Sequence, residues 1–181
     1  MPSLDGCIAE IQSAFSQKTL AARLSCVQEI LHAHLQKDTF SFLEDFAPGK
    51  EGYGRYLLHE DLEKNFTFLL CVWGEGQWSA LHDHGTSGVV TVAKGSILEI
   101  GFAEDPCVTK TPSCRVLRAG ESTEIRPVAQ DLHIMGNPSP EPAMTLHLYA
   151  AAGQRLAMRK FSLNHPHCTP LRLRLAEALA V

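Results

Sequence analysis

The stretch Gly76-Gln77-Trp78-Ser79-Ala80-Leu81-His82-Asp83-His84 ends in two histidines that lie two residues apart. In an extended strand, residues i and i+2 face the same side, so His82 and His84 would both project inward. Two imidazoles on one face can hold a first-row metal ion that takes one or two further ligands. The pair alone also fits two strand histidines of which one is packed in the core and the other faces water.

Two other histidines could supply a third metal ligand. His133 lies in another predicted strand, and a small barrel brings distant strands together. His147 competes with it for the same role, because it also lies in a predicted strand. His32 and His34 lie at i and i+2 on a predicted helix and point about 200° apart, so they cannot share a metal ion there and are expected at the surface.

Short apolar segments separated by glycine and proline dominate the chain from about residue 52. Their spacing of about 8–12 residues is typical of an antiparallel barrel or sandwich. The predicted strands are Phe66–Trp73, Gly88–Ala93, Ser96–Phe102, Cys114–Leu117, Leu132–Met135 and Met144–Tyr149.

Two helices are predicted before this region. Ile8, Ile11 and Phe15 recur at helical spacing, and an apolar stripe from Leu20 to Leu35 forms the second helix. We expect one domain over residues 1–181, because the chain contains no repeat and no linker. Its expected parts are a helical layer at 1–50, a β-barrel at 51–163 and a C-terminal tail at 164–181 that ends in a short amphipathic helix.

The composition is that of a globular domain, with 45% hydrophobic and 20% charged residues in a chain of 181. There are 16 Lys and Arg residues against 20 Asp and Glu, a net charge of −4, and no basic cluster that would indicate binding to nucleic acid or an anionic membrane. No apolar run approaches the length of about 18 residues that spans a bilayer, and the first residues lack the pattern of a signal peptide. We therefore expect a cytoplasmic protein, and the sequence predicts no obligate protein partner.

The 6 cysteines are not arranged in the closely spaced pairs of a structural zinc site. In a reducing cytoplasm they are expected to be free thiols. Cys26 and Cys71 stand between apolar residues and are expected as small core residues.

The glycines around the histidine pair resemble the first motif of the cupin superfamily, G(X)₅HXH(X)₃E(X)₆G, over residues 76–95. His133, with Asn137 four residues later, resembles the end of the second motif. The resemblance implies a mainly β fold, a cupin (double-stranded β-helix or jelly-roll) barrel with N-terminal α-helices. The sequence departs from the pattern at Gly88, where the motif has a metal-binding glutamate, and by one extra residue between Pro127 and His133.

Without that glutamate the predicted metal ligands are three neutral histidines, His82, His84 and His133, and no protein carboxylate. A ferrous ion in such a site keeps its double positive charge until anions arrive, which favours thiolate and ligands derived from O₂. The site also leaves more than one position open for substrate and gas, unlike a closed tetrahedral zinc site.

Four separate pieces of the chain, over about residues 50–160, resemble the cysteine dioxygenases and related small-thiol dioxygenases. Tyr53-Gly54-Arg55 resembles the Y-x-R that binds the substrate carboxylate. Trp73-Gly74-Glu75-Gly76, followed by Leu81-His82-Asp83-His84, resembles the W-G-x-G…H-D-H block, and His133 stands where the third iron ligand belongs. The segment 145–149 is similar to the S-x-H-x-Y triad of the family, with threonine in place of serine.

The triad segment agrees with that resemblance, because Thr145, His147 and Tyr149 share one face of a strand. Burying such a row is costly unless each group finds a partner, and a polar cavity beside a metal supplies one. Thr145 can orient His147, which can hold the Tyr149 hydroxyl toward substrate or O₂, so His147 is expected behind the metal site and not as a ligand. The other interpretation is a half-exposed strand with Leu146 and Leu148 facing the core.

Arg55 is the predicted anchor for a substrate carboxylate, because its planar guanidinium can bind both carboxylate oxygens. Tyr53 lies on the same face and can share this role. Arg155 and Arg159 are either solvated charges or partners of a second carboxylate.

The resemblance implies a non-haem Fe(II) dioxygenase that uses O₂ to oxidise a small thiol carboxylate to its sulfinate, with L-cysteine to cysteine sulfinate as the first choice. The alternative substrates are 3-mercaptopropionate and mercaptosuccinate, and the alternative of another class is a cupin that binds a metal or ligand without redox chemistry. Some family members carry a cysteine joined covalently to the active-site tyrosine. Glycine stands at that position here, so no thioether crosslink is predicted at Tyr149.

Overall fold

The computed structural model describes residues 3–17, 19–102, 113–127, 132–152 and 158–161. It begins with two α-helices, α1 (Leu4–Ala14) and α2 (Leu20–Gln36), and a short 3-10 helix at Ser41–Asp45. The strands are β1 (Gly54–Asp61), β2 (Phe66–Trp73), β3 (Gln77–Trp78), β4 (Leu81–His84), β5 (Gly88–Lys94), β6 (Ser96–Phe102), β7 (Ser113–Arg118), β8 (Ser122–Ile125), β9 (Leu132–Asn137), β10 (Ala143–Tyr149) and β11 (Met158–Phe161). In the described part of the chain, no helix has the length and apolar character needed to cross a membrane.

Each α-helix begins at a residue whose hydroxyl accepts a hydrogen bond from the first turn. Ser3 Oγ accepts from the backbone N–H of Gly6, and Thr19 Oγ1 accepts from that of Ala22. These caps satisfy backbone donors that a helix start leaves without partners. Most of the apolar stripe is buried or half-buried, as its spacing predicts, whereas Leu20, at the start of α2, is 40% exposed.

The prediction that His34 lies at the surface is wrong, whereas His32 is exposed as expected. His34 is only 3% exposed, because the packing of α1 against α2 covers it. Its Nδ1 lies 2.9 Å from Thr39 Oγ1, and its Nε2 lies 3.2 Å from a carboxylate oxygen of Glu10. These polar neighbours explain why the imidazole is tolerated among apolar residues.

The strands form two antiparallel sheets. The first has the order β1-β2-β10-β5-β8, and the second has the order β11-β4-β9-β6-β7, with β3 also paired to β9. Side chains from both sheets, among them Trp73, Val92, Ile97 and Met135, share one buried cluster in the barrel interior. The predicted mainly β barrel with N-terminal α-helices is confirmed.

β2 and β10 lie between the helices and the barrel interior, so every residue of both strands is buried. Leu146 and Leu148 pack against the helices in one apolar cluster. Because neighbouring strand residues face opposite sides, Thr145, His147 and Tyr149 point into the barrel. The interpretation of a half-exposed strand is therefore wrong, and the polar row faces an interior cavity.

The sequence does not predict β1, an edge strand with a register shift between Leu57 and His59. That irregularity breaks the period of two on which strand prediction depends. The sequence also does not predict β8, which is only four residues long. The tail at 164–181 and its predicted helix lie outside the described residues, and the division of the chain into one domain with boundaries at 50 and 163 stays a prediction.

Candidate metal centre and its surroundings

Three histidines from the second sheet converge on one point. His82 and His84 lie on β4 and His133 lies on β9, and the antiparallel pairing of these strands places His82 directly opposite His133. The Nε2 atom of His133 lies 3.2 Å from that of His82 and 3.1 Å from that of His84. All three ligand atoms lie within 4.8 Å of one another, a spacing that suits a shared metal ion.

Hydrogen bonds on the far side of two of these rings show that a cation fits between them. His133 Nδ1 donates to Glu99 Oε1 at 2.8 Å, and His82 Nδ1 donates to the carbonyl oxygen of Ala80 at 2.8 Å. In its neutral form an imidazole has one N–H, so a neutral ring whose hydrogen lies on Nδ1 presents an Nε2 lone pair to the neighbouring ring. Two acceptors at this distance repel each other unless a cation lies between them, and first-row metals prefer imidazole nitrogen.

The protonation states also suit metal binding. Burial, followed by the charge of His133, lowers the pKa of His82 to about 4 and that of His84 to about 2. Both rings are therefore neutral near pH 7, the form that binds a metal. Among the described residues no carboxylate joins this three-histidine cluster.

Glu99 and Arg115 support His133, and sequence reasoning missed both. Glu99 is buried on β6, next to β9, and its second carboxylate oxygen lies 2.6 Å from Arg115 Nε. Burial would raise the pKa of Glu99, but hydrogen bonds and charge from His133 and Arg115 outweigh it and hold the pKa below its ordinary value. A lone acid in the apolar segment Ser96–Phe102 was the signal that could have identified this carboxylate.

Glu99→Gln is expected to weaken Co(II) binding by about 10- to 100-fold, because a carboxylate that orients a ligating histidine contributes about that much to metal affinity. Titration of the metal-free full-length chain with Co(II), followed by its absorption bands, measures the change. Glu124→Gln, an exposed glutamate on β8, is the matched control with unchanged affinity expected. Equal dissociation constants for wild type and Glu99→Gln would contradict the role given to Glu99.

The predicted triad on β10 forms a continuous row of hydrogen bonds. Thr145 Oγ1 lies 2.7 Å from His147 Nε2, and His147 Nδ1 lies 3.1 Å from the Tyr149 hydroxyl. Both ring nitrogens of His147 are thus occupied, which explains why it is not part of the three-histidine cluster. The ring of Tyr149 stacks on that of His84 with centroids 5.3 Å apart, which brings the phenol beside the cluster.

The electrostatics of this row keep it neutral. Burial, together with the nearby charge of Arg55, lowers the pKa of His147 to about 3. Burial raises the pKa of Tyr149 well above its ordinary value, so the phenol keeps its proton. Cys71, which also lines the cavity, has its pKa raised to about 12 by burial and stays a thiol.

The two residues predicted for carboxylate binding lie at the entrance to the same cavity. Arg55, on β1, is exposed, and it lines both the inner cavity with the three histidines and a wider outer cavity. Tyr53 precedes β1 and stacks on Trp73, with ring centroids 4.0 Å apart. The inner cavity is lined by all eight residues predicted for the site except Thr145.

The surroundings of Gly88 leave no room for the glutamate that the cupin motif has at this position. Gly88 pairs with Tyr149 across β5 and β10, and an added Cβ would lie 2.5 Å from the carbonyl oxygen of Leu148 and 3.2 Å from the Tyr149 ring. A side chain at position 88 would therefore displace β10, the strand that carries Tyr149. That no crosslink forms at Tyr149 stays a prediction.

The interpretation of Arg155 and Arg159 as solvated charges or as partners of a second carboxylate stays a prediction. Arg155 lies outside the described residues. The backbone of Arg159 lies in β11, where it pairs with Asp83 of β4, and its side chain is not described.

The cysteine dioxygenase type I family model matches residues 3–161. A conserved protein with a double-stranded β-helix domain from Klebsiella pneumoniae has a TM-score of 0.52 at 20% identity, over 67% of this chain and 88% of its own. Oxalate decarboxylase of Bacillus subtilis has a TM-score of 0.51 at 18% identity, over 66% of this chain and 31% of its own. An oxalate oxidase in complex with the substrate analogue glycolate has a TM-score of 0.50 at 18% identity, over 74% of this chain and 68% of its own.

At these identities the solved structures show the fold alone, and they confirm the predicted cupin barrel. The family match is of a different kind, because it extends over most of the sequence and includes the three histidines and the row on β10. The chain belongs to the cysteine dioxygenase type I family.

Proposed function

We propose that this protein is an Fe(II)-dependent thiol dioxygenase that oxidises a small thiol carboxylate to its sulfinate, with L-cysteine as the first choice of substrate. The observation that carries the proposal is that the three clustered histidines and one arginine line the same cavity. Membership of the cysteine dioxygenase type I family supports oxidation by O₂. The proposed metal ligands are His82, His84 and His133.

The proposed reaction, R–SH + O₂ → R–SO₂H, is balanced without an external reductant. The O–O bond breaks, two S–O bonds form, and the four electrons that sulfur loses are those that O₂ gains. The thiol proton is retained on the sulfinic acid, which then releases it to solvent. When bound, Fe(II) would supply the redox chemistry for this step and favour the thiolate form of the substrate.

Arg55 is proposed to bind the substrate carboxylate. Its guanidinium offers two parallel N–H donors at the cavity entrance, a geometry that matches both oxygens of a carboxylate. A carboxylate held there directs the rest of a short substrate inward, toward the three histidines. Tyr53, on the neighbouring wall, is proposed to share this role through its hydroxyl.

Tyr149 is proposed to donate a hydrogen bond to the substrate or to O₂. Its raised pKa keeps the hydroxyl protonated, and its stacking on His84 places it beside the metal ligands. Thr145 and His147 are proposed to hold the phenol in this position, because their hydrogen bonds lead to its oxygen.

The test is O₂ uptake by the anaerobically Fe(II)-loaded chain with L-cysteine, 3-mercaptopropionate and mercaptosuccinate in parallel, with each sulfinate identified by mass. Consumption of one O₂ per sulfinate with one of these thiols supports the proposal and identifies the substrate. Iron binding without uptake for all three would contradict it. A cupin that binds a metal or ligand without redox chemistry would then be the better description.

The cytoplasm is the proposed compartment, with the thiol substrate and O₂ as the proposed small-molecule partners, and with no nucleic acid and no obligate protein partner. The cysteines within the described residues, Cys7, Cys26, Cys71 and Cys114, are free thiols. Free thiols are typical of a reducing compartment, and that supports the cytoplasmic proposal.

A further inference from the structure

The indole of Trp73 continues the hydrogen-bonded row of β10 beyond Thr145. Trp73 ends β2, beside β10, and its Nε1 donates to Thr145 Oγ1 at 2.8 Å. Trp73 is 1% exposed and Thr145 is fully buried, so water does not compete for this bond. The row therefore runs from Trp73 through Thr145 and His147 to Tyr149.

The indole fixes the direction of the next hydrogen bond. An indole N–H can only donate, so the Thr145 oxygen is an acceptor in that contact. Within the described residues, the other hydrogen-bond partner of this hydroxyl is His147 Nε2, at 2.7 Å. The Thr145 hydroxyl hydrogen therefore points to His147 Nε2, which must be an acceptor.

The direction of the remaining bond follows from the single proton of a neutral imidazole. His147 is neutral near pH 7, so an accepting Nε2 leaves its hydrogen on Nδ1. Nδ1 lies 3.1 Å from the Tyr149 hydroxyl and donates to its oxygen. The phenol hydrogen then has no acceptor in this row and is free to point into the cavity.

We propose that Trp73 is a positioning residue that sets the direction of this row, so that Tyr149 presents a hydrogen and not a lone pair to the cavity. In the reversed row, His147 Nε2 would donate to Thr145, and the Tyr149 hydrogen would be used on His147 Nδ1. The Trp73 N–H opposes the reversed row, because the Thr145 oxygen would then receive two donors while its own hydrogen stays buried without an acceptor. The direction of the row is independent of the proposed function. Only the identity of the acceptor of the phenol hydrogen, the substrate or O₂, rests on that function.

The direct test is the tautomer of His147 in the Zn(II)-loaded full-length chain, measured by ¹⁵N–¹H correlation NMR. We expect a protonated Nδ1 and an unprotonated Nε2 in the wild type. Trp73→Phe keeps an aromatic ring on which Tyr53 can stack, but it lacks the N–H that donates to Thr145. We expect the fraction of His147 with its hydrogen on Nε2 to rise about fivefold in this variant, because one ordinary hydrogen bond shifts an equilibrium by about that ratio. A wild-type Nε2–H tautomer, or an unchanged fraction in Trp73→Phe, would overturn the proposal.

A double-mutant cycle separates this role from simple packing. If Trp73 acts through Thr145, Trp73→Phe should lower kcat about three- to tenfold in the wild type and have no further effect in a Thr145→Val background. An equal loss in both backgrounds would show a packing role and contradict the proposal. Absence of thiol turnover in the wild type would contradict the proposed function, whereas the NMR result would still decide the direction of the row.

Discussion

His133→Ala is expected to lower Fe(II) affinity by more than about 100-fold and to reduce thiol oxidation to background. The substitution removes one of three ligands, and loss of a residue that merely orients a ligand already costs about 10- to 100-fold. It also leaves the carboxylate of Glu99 buried without its imidazole partner. Iron content after anaerobic loading and O₂ uptake with the active thiol measure the two effects.

His32→Ala is the matched control for this experiment. His32 is an exposed histidine on α2 whose ring contacts Gln36, so its loss should change neither iron content nor turnover. A His133→Ala chain that still holds one iron and turns over at the wild-type rate would contradict the three-histidine site.

Arg55→Ala is expected to raise KM for a carboxylate thiol about 100-fold with little change in iron content. Charge-assisted hydrogen bonds contribute about 1.5–3 kcal/mol each. Because Arg55 is exposed, its bidentate pair is expected at the low end, about 3 kcal/mol for the two bonds together, which is on the order of 100-fold in KM. Arg55→Lys should be intermediate, because it keeps the charge but not the planar fork. Steady-state kinetics of both variants with the active thiol measure the change.

Cysteamine, which lacks a carboxylate, provides a control within the same variants. Its KM should be equal in wild type and Arg55→Ala, since the lost interaction has no partner on that molecule. An unchanged KM for the carboxylate thiol would remove Arg55 from its proposed role.

The parts of the fold that follow from local patterning could be predicted from the sequence. The extent of β2 and β6 follows from apolar segments that end at glycines. The shared face of Thr145, His147 and Tyr149 follows from the period of two along a strand. The convergence of His82, His84 and His133 also needed a barrel to bring β4 and β9 together, and the resemblance to cupins implied one.

The parts that depend on contacts between distant segments could not be predicted in this way. The bond from Glu99 to His133 depends on the register of β6 against β9, and the bond from Trp73 to Thr145 depends on the register of β2 against β10. Neither register is visible in the spacing along one strand. Burial of His34 likewise depends on the packing of α1 over α2, which a helical stripe does not specify.

The most direct test of the central claim is the origin of the oxygen atoms in the product. The Fe(II)-loaded chain is allowed to oxidise its thiol under ¹⁸O₂ in ordinary water, and the sulfinate is analysed by mass spectrometry, with ¹⁶O₂ in ¹⁸O-labelled water as the control. The account predicts two labelled oxygen atoms per sulfinate from the gas and none from the water. A sulfinate in which one or both oxygen atoms come from water would contradict it.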